Sequence, residues 1–285
     1  MVEQRSAGIE PARIGERQRI LPKDAPSIPM RMARLARSSP VVKAVGVLAA
    51  LGAWQLYSMW ADSRLMPGLQ VIFEKLVELV ADGELLHHAA STLTHGFAGL
   101  GIAFVLAACT GVFAARNWVA DAALRPLVSI CYPVPKLALY PIVILLLGFG
   151  GGSKTTQTAI ECFFPLFVQC YAGARALSKN MEWLALNVGG DRKYLLRDVL
   201  VPTALPFVFT GLRIAFPIML IVMTVTEFIG ASQGLGYLIA RSAAYFDTAS
   251  ALAVVATLGC IGFVGDRVLV RLRSIVVFWE RAPSR

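Results

Sequence analysis

Charge is scarce in this chain. Asp, Glu, Lys and Arg make up 16% of its 285 residues while 56% are hydrophobic, whereas a soluble domain carries roughly a quarter charged residues. That balance excludes an ordinary solvated domain and points to a membrane protein. There are three histidines. His88 and His95 share a helix face, but with His87 they build no metal-ligand pattern, and no His is paired with a nucleophile, so enzyme chemistry is not expected. The five cysteines show no CxxC spacing. They read as free thiols buried inside spans rather than a redox pair. The first forty residues lack the short apolar core of a cleavable signal peptide, so the first span is expected to act as an uncleaved anchor. An intact nucleotide loop is missing too: in GFGGGSKTTQ, Ser153 stands where the phosphate-binding pattern needs its second glycine, and apolar spans flank it instead of a strand and a helix. The stretch reads as a glycine-rich turn. The halves of the chain show no internal repeat, which argues against the competing class, a self-sufficient secondary transporter or channel for a small anion.

What is present is a series of long apolar runs. A bilayer-spanning helix needs roughly 20 mostly apolar residues, and 44–61, 90–115, 126–152, 155–174, 199–226 and 248–265 qualify. The expected fold class is therefore all-α, a polytopic membrane protein with six transmembrane helices. Residues 1–43 hold nine Lys/Arg against four acids, the stretch after Gly265 five Arg against two acids, and 62–84 five acids against two bases. Basic residues flank spans on the cytoplasmic side, so both termini are expected there and the net charge of +9 needs no nucleic acid to explain it. The first span ends in WQLYSMW, whose Trp54, Tyr57 and Trp60 suit the outer interface. After it, Val71, Leu76, Val77 and Val80 alternate with acids at helical spacing, predicting an amphipathic helix outside the membrane.

The third run carries Pro133, Pro135 and Pro141 within nine residues. Each proline removes a helix donor and crowds the preceding turn, which rules out one long regular helix. Broken backbone is tolerated at membrane depth where it is buried in protein or lines a watery cavity. Hence Pro133, Pro135, Lys136 and Tyr140 are candidates for the translocation path. Glu161, Arg213 and Glu227 join them, because a charge near a span centre costs roughly 2.5 to 3.5 kcal/mol unless it pairs or faces water. Two readings of Lys136 stand open: an ammonium that meets an anionic solute, or an internal pair with Glu161.

Residues 187–206, NVGGDRKYLLRDVLVPTALP, place five charges within eight positions in the middle of this apolar chain. Gly189 and Gly190 are expected to end one short helix, and Asp191 to cap a second by accepting from free amides. In that second helix Leu195, Leu196, Val199 and Leu200 form one edge and Arg192, Lys193, Arg197 and Asp198 the other.

Gly189, Pro202 thirteen positions on, Pro206 four beyond it, and the following GLRIA together resemble the EAA loop of ABC-importer permeases, the binding-protein-dependent transport family. DGELLHHAASTL, VPKLALYPIVILLLGFGGGSK, FFPLFVQCYAGAR and GASQGLGYLI are similar, in order, to the branch serving nitrate, sulfonate, taurine and bicarbonate-type importers. The likeness covers roughly 66–279. It implies that 178–205 is a cytoplasmic coupling loop that engages a separate ATPase through Glu182, Trp183, Ala185, Gly189, Gly190, Asp191, Arg192 and Pro202. It further implies a homodimer in the bacterial inner membrane, a solute-binding protein outside, no cofactor on this chain, and ATP with Mg on the partner. The domain division that follows is a flexible cytoplasmic arm at 1–40, the permease at 41–279 and a short tail at 280–285. Two positions depart from the pattern. Trp183, Leu184 and Ala185 stand where Glu-Ala-Ala belongs, with Glu182 one place early, and Lys136 stands where an uncharged residue is usual.

Overall fold

The computed structural model describes residues 40–61 and 65–280, and the first is split at Trp54 between two compact units, Met1–Trp54 and Gln55–Arg285. The expected N-terminal arm, 1–40, and the tail beyond 280 lie outside the described residues apart from Pro40 and Glu280. Every regular element described is helical. They are α1 (Pro40–Ala61), α2 (Leu69–Ala81), α3 (Glu84–Arg116), α4 (Trp118–Cys131), α5 (Tyr140–Leu147), α6 (Gly151–Arg175), α7 (Lys179–Asn187), α8 (Arg192–Phe228), α9 (Leu235–Ala244) and α10 (Thr248–Val276). Four of these, α1, α3, α8 and α10, are long and apolar enough to cross a membrane, and α4 with the 136–147 segment makes a fifth candidate, bent by 86°. The remaining expected span, 155–174, corresponds to α6. At 25 residues it is long enough, but Ser153, Lys154, Thr155, Thr156, Gln157 and Thr158 make its first turns polar.

The core is built around α6, which packs between α3 and α8. Helix α3 turns a stripe of small residues inward, Gly96, Gly99, Ala103, Ala107, Gly111 and Ala114, all buried. With hydrocarbon on both sides there is little hydrophobic drive between helices, so close backbone approach through small residues does the work. The approach is tight enough that a Cβ on Gly99 would come within 2.7 Å of Thr155 O and of Thr158 Cβ. Leu166, Phe167, Ala215, Phe216, Met219 and Met223 complete this core.

Helix α2 is amphipathic as expected, but its buried face differs from the expected one. Leu79 is buried and Ile72 and Leu76 pack beside it against α9 and α10, while Val71, Val77 and Val80 are exposed. The cysteines are all free, and only Cys162 and Cys170 are buried; Cys109 and Cys260 are exposed.

The proline-rich run is broken where the sequence demands. Helix α4 stops at Cys131, 132–135 turn, and Lys136–Leu139 form a single 3-10 turn before α5. The charged segment differs from the expected two-part layout, because its second helix does not end before the next span. Arg192–Phe228 is one helix of 37 residues despite Pro202, Pro206 and Pro217. A π-helical stretch, Leu195–Leu200, ends two positions before Pro202. Such wider turns take up irregularity inside a helix and recur at functional sites.

Candidate functional site

Two groups of residues stand at opposite ends of α6 and α8. At one end, α7 and the start of α8 form an elbow. The Ser178 hydroxyl caps α7 by accepting from Met181 N. At the far end of α7, Gly190 N donates to Ala185 O and Gly189 N to Leu186 O, both at 3.0 Å, and Gly189 has φ of +85°. This is the paired closure that a left-handed glycine permits. Asp191 Oδ1 then accepts from Tyr194 N at 2.7 Å and caps α8. A side chain on Gly190 would run into the Tyr194 ring and Ala185 O, so both glycines are required by the shape of the elbow, and Ala185 is buried beneath it.

The elbow is anchored from below. Leu177 and Leu200 are buried with Ala174, and Val112, Ala115, Leu195 and Val199 pack against them. Arg116, the last residue of α3, donates to Glu182 Oε1 at 2.5 Å. Glu182, one place early for the family glutamate, therefore ties α7 to α3. The outer side is apolar and exposed: Met181, Trp183, Leu184, Leu186 and Val188 lie between 48% and 70% exposed. Arg192 is exposed beside them, and Pro202 is half-buried at the root of the span.

The expected path residues do not form one cluster. Pro133 and Pro135 are exposed on the break, and Tyr140 is buried with Val143 and Ile144. Lys136 is buried. Its Nζ lies 3.7 Å from Glu161 Oε2, donates to Tyr132 O and Val134 O at 3.1 Å each, and sits 4.5 Å from the centre of the Phe164 ring. The internal pair with Glu161 is thus the arrangement found, in place of an unpaired ammonium. Arg213 is exposed and forked onto Asp266 of α10, at 2.6 and 3.3 Å. Asp266 escaped the sequence reading because it stands one residue past the expected end of the last span.

Glu227 is deeply buried. Its carboxylate accepts from the Thr92 hydroxyl at 2.9 and 3.0 Å and from Gly236 N at 2.9 Å. The same Thr92 oxygen accepts from Leu235 N at 2.8 Å, and His88 Nδ1 accepts from Gly234 N at 3.0 Å. Three side chains from α3 and α8 therefore cap the first amides of α9. Glu227 is a fastener between three helices, a role that its position alone did not reveal.

Beside that junction lies a cavity of about 340 Å³, lined by Ser91, His95, Phe149, Gly150, Gly151, Lys154, Gly230, Ala231, Ser232 and Gln233. Sequence reasoning passed over it, since its walls come from three separate segments.

Residues 105–274, more than half of the chain, match the family described as the binding-protein-dependent transport system inner membrane component. The chain belongs to that family. Among relatives, the permease is 29% identical to the formylaminopyrimidine transport permease of Halalkalibacterium halodurans, over 79% of this chain and 93% of that one. It is 27% identical to the taurine transport system permease of Escherichia coli, over 85% and 91%. A subunit of the MetNI methionine ABC transporter, in an inward-facing conformation, superposes with a TM-score of 0.58 at 16% identity, covering 65% of this permease and 93% of that chain. That likeness supports the fold. The permease is thus a multi-pass inner-membrane transport component of an ABC importer rather than an enzyme, and ATP hydrolysis belongs to a separate subunit.

Proposed function

We propose that this permease forms, as a homodimer, the path for a small anionic solute of sulfonate, nitrate, bicarbonate or organic-acid type. An outside solute-binding protein delivers the solute, and a cytoplasmic ATPase pair, holding ATP and Mg, drives the cycle. In this reading the chain crosses the membrane six times, α6 included, with both termini and the elbow in the cytoplasm. The chain itself binds no cofactor. Alternating access, in which one arrangement of helices gives way to another around a central site, is the mechanism.

The observation that carries the coupling role is the elbow. It is rigid where it must pass force, being closed by Gly189, Gly190 and Asp191 and continuous with α8, and it offers an apolar surface centred on Trp183 to a partner. Exposed aromatic residues on a firm support are the usual anchors of protein interfaces. Trp183 in place of the family glutamate makes that contact apolar. Replacing Trp183 and Leu184 together by Glu is expected to abolish co-purification of the ATPase and ATP-driven uptake in proteoliposomes. Undiminished co-purification and uptake in the double variant would overturn the coupling assignment.

A further inference from the structure

Lys154 differs from every other cation on the spans. It is 6% exposed, yet among the described residues no carboxylate oxygen lies within ion-pair distance of it, and its Nζ donates to Gln233 O at 3.1 Å. Glu227 is its nearest carboxylate neighbour in charge terms, but both Glu227 oxygens are engaged by Thr92 and Gly236. A buried ammonium is costly unless it is paired and hydrogen-bonded. Here the ammonium lies on the wall of a cavity large enough for on the order of ten waters.

The remaining walls suit an anion. Two turns, 149–151 and 230–233, contribute three glycines to the lining and leave room for a ligand to approach. The N-cap Gly150 offers no side chain to the first amides of α6, so those donors are left for another acceptor. The hydroxyl of Ser91 and that of exposed Ser232 also line the cavity. His95 Nδ1 donates to Ser91 O at 2.9 Å, and its ring packs so closely on Gly151 that a Cβ there would displace it. A helix terminus alone would mean little; the nearly buried, ion-pair-free lysine in the same cavity gives the donors their common purpose.

We propose that this cavity is an anion-binding site which receives the sulfonate or carboxylate head of the solute on Lys154. It rests on the reading above that the permease carries an anion. Because the cavity lies at the ends of α6 and α8 opposite the elbow, it serves as the first station on the side where the binding protein docks, ahead of the broken segment at Lys136. No covalent step is involved.

The test uses the purified permease with its ATPase, titrated calorimetrically with methanesulfonate and, separately, with methylammonium. Wild type and K154R are expected to bind methanesulfonate saturably, and K154Q to lose roughly tenfold or more in affinity. Methylammonium is expected not to bind. Ser232→Trp, at an exposed lining position, is expected to lower methanesulfonate affinity without touching a buried group, which guards against misfolding of K154Q. Equal binding by K154Q and wild type, equal binding of methylammonium, or no saturable binding to wild type would overturn the site. Uptake in proteoliposomes separates the two readings. ATP-driven anion uptake by K154Q with an unchanged KM removes the site alone, whereas a wild type that ignores sulfonates, carboxylates and inorganic anions alike removes the anionic reading on which it rests.

Discussion

Lys136 and Lys154 are both buried lysines, 7% and 6% exposed, and they are solvated in opposite ways. Lys136 has Glu161, two carbonyls and the Phe164 ring around one ammonium. Lys154 has one carbonyl and a polar cavity. The first is a closed electrostatic unit that fastens the broken segment to α6. The second is an open one, with donor capacity directed at a space that something can enter. Burial alone therefore does not say what a membrane lysine does; what matters is how much of its charge the protein has already answered.

The largest expected effect comes from making the first lysine resemble the second. Glu161→Gln keeps the size of the side chain and removes its charge, leaving the Lys136 ammonium buried without an ion pair. Breaking a buried pair from one side costs roughly 3 kcal/mol or more, because the remaining charge stays desolvated. Thermal unfolding of the detergent-solubilised permease should show that loss. The double replacement K136M/E161L removes both charges and should return most of the stability, to within about 1 kcal/mol of wild type. If E161Q is as stable as the parent, the pair is not the closed unit described and the contrast with Lys154 collapses.

A smaller effect is expected where the cavity wall is filled. Gly151→Ala places a methyl in the space of the His95 ring, and overpacking of this kind costs typically 1 to 3 kcal/mol. The imidazole that lines the cavity must then shift, so methanesulfonate affinity should change together with stability. An alanine variant that binds and unfolds like wild type would show that His95 is free to leave the wall, and that the cavity is not shaped by it.

How far these sites were legible depends on how local their signals are. The elbow was legible because glycine, Asp and an apolar edge act within a few residues, and the break after Cys131 because three prolines stand together. The continuity of α8 was not, since charges and prolines normally mark a boundary and the π-helical stretch before Pro202 leaves no compositional trace. Arg213 suggested a path residue until its partner Asp266, 53 positions away, came into contact. The cavity was the least legible of all. Its lysine was in view as part of GFGGGSKTTQ, a near-miss for a phosphate loop, and only packing of 91–95 and 230–233 against that turn gives Lys154 a purpose.

The smallest expected effect is also the sharpest test of the comparison. Lys154→Met removes an ammonium whose desolvation no ion pair offsets, at the cost of one hydrogen bond to Gln233 O. The gain and the loss are of similar size, since a hydrogen bond to a charged group contributes roughly 1.5 to 3 kcal/mol and an uncompensated buried charge costs several. The melting temperature should therefore stay put, equivalent to less than about 1 kcal/mol, while sulfonate binding and uptake fall. Glu227 does not change this balance much, because Thr92 and Gly236 continue to hold its carboxylate. A K154M permease that unfolds several degrees early would mean that Lys154 steadies Glu227 across the junction with α9. In that case both buried lysines are structural, and the anion must be met elsewhere on the path.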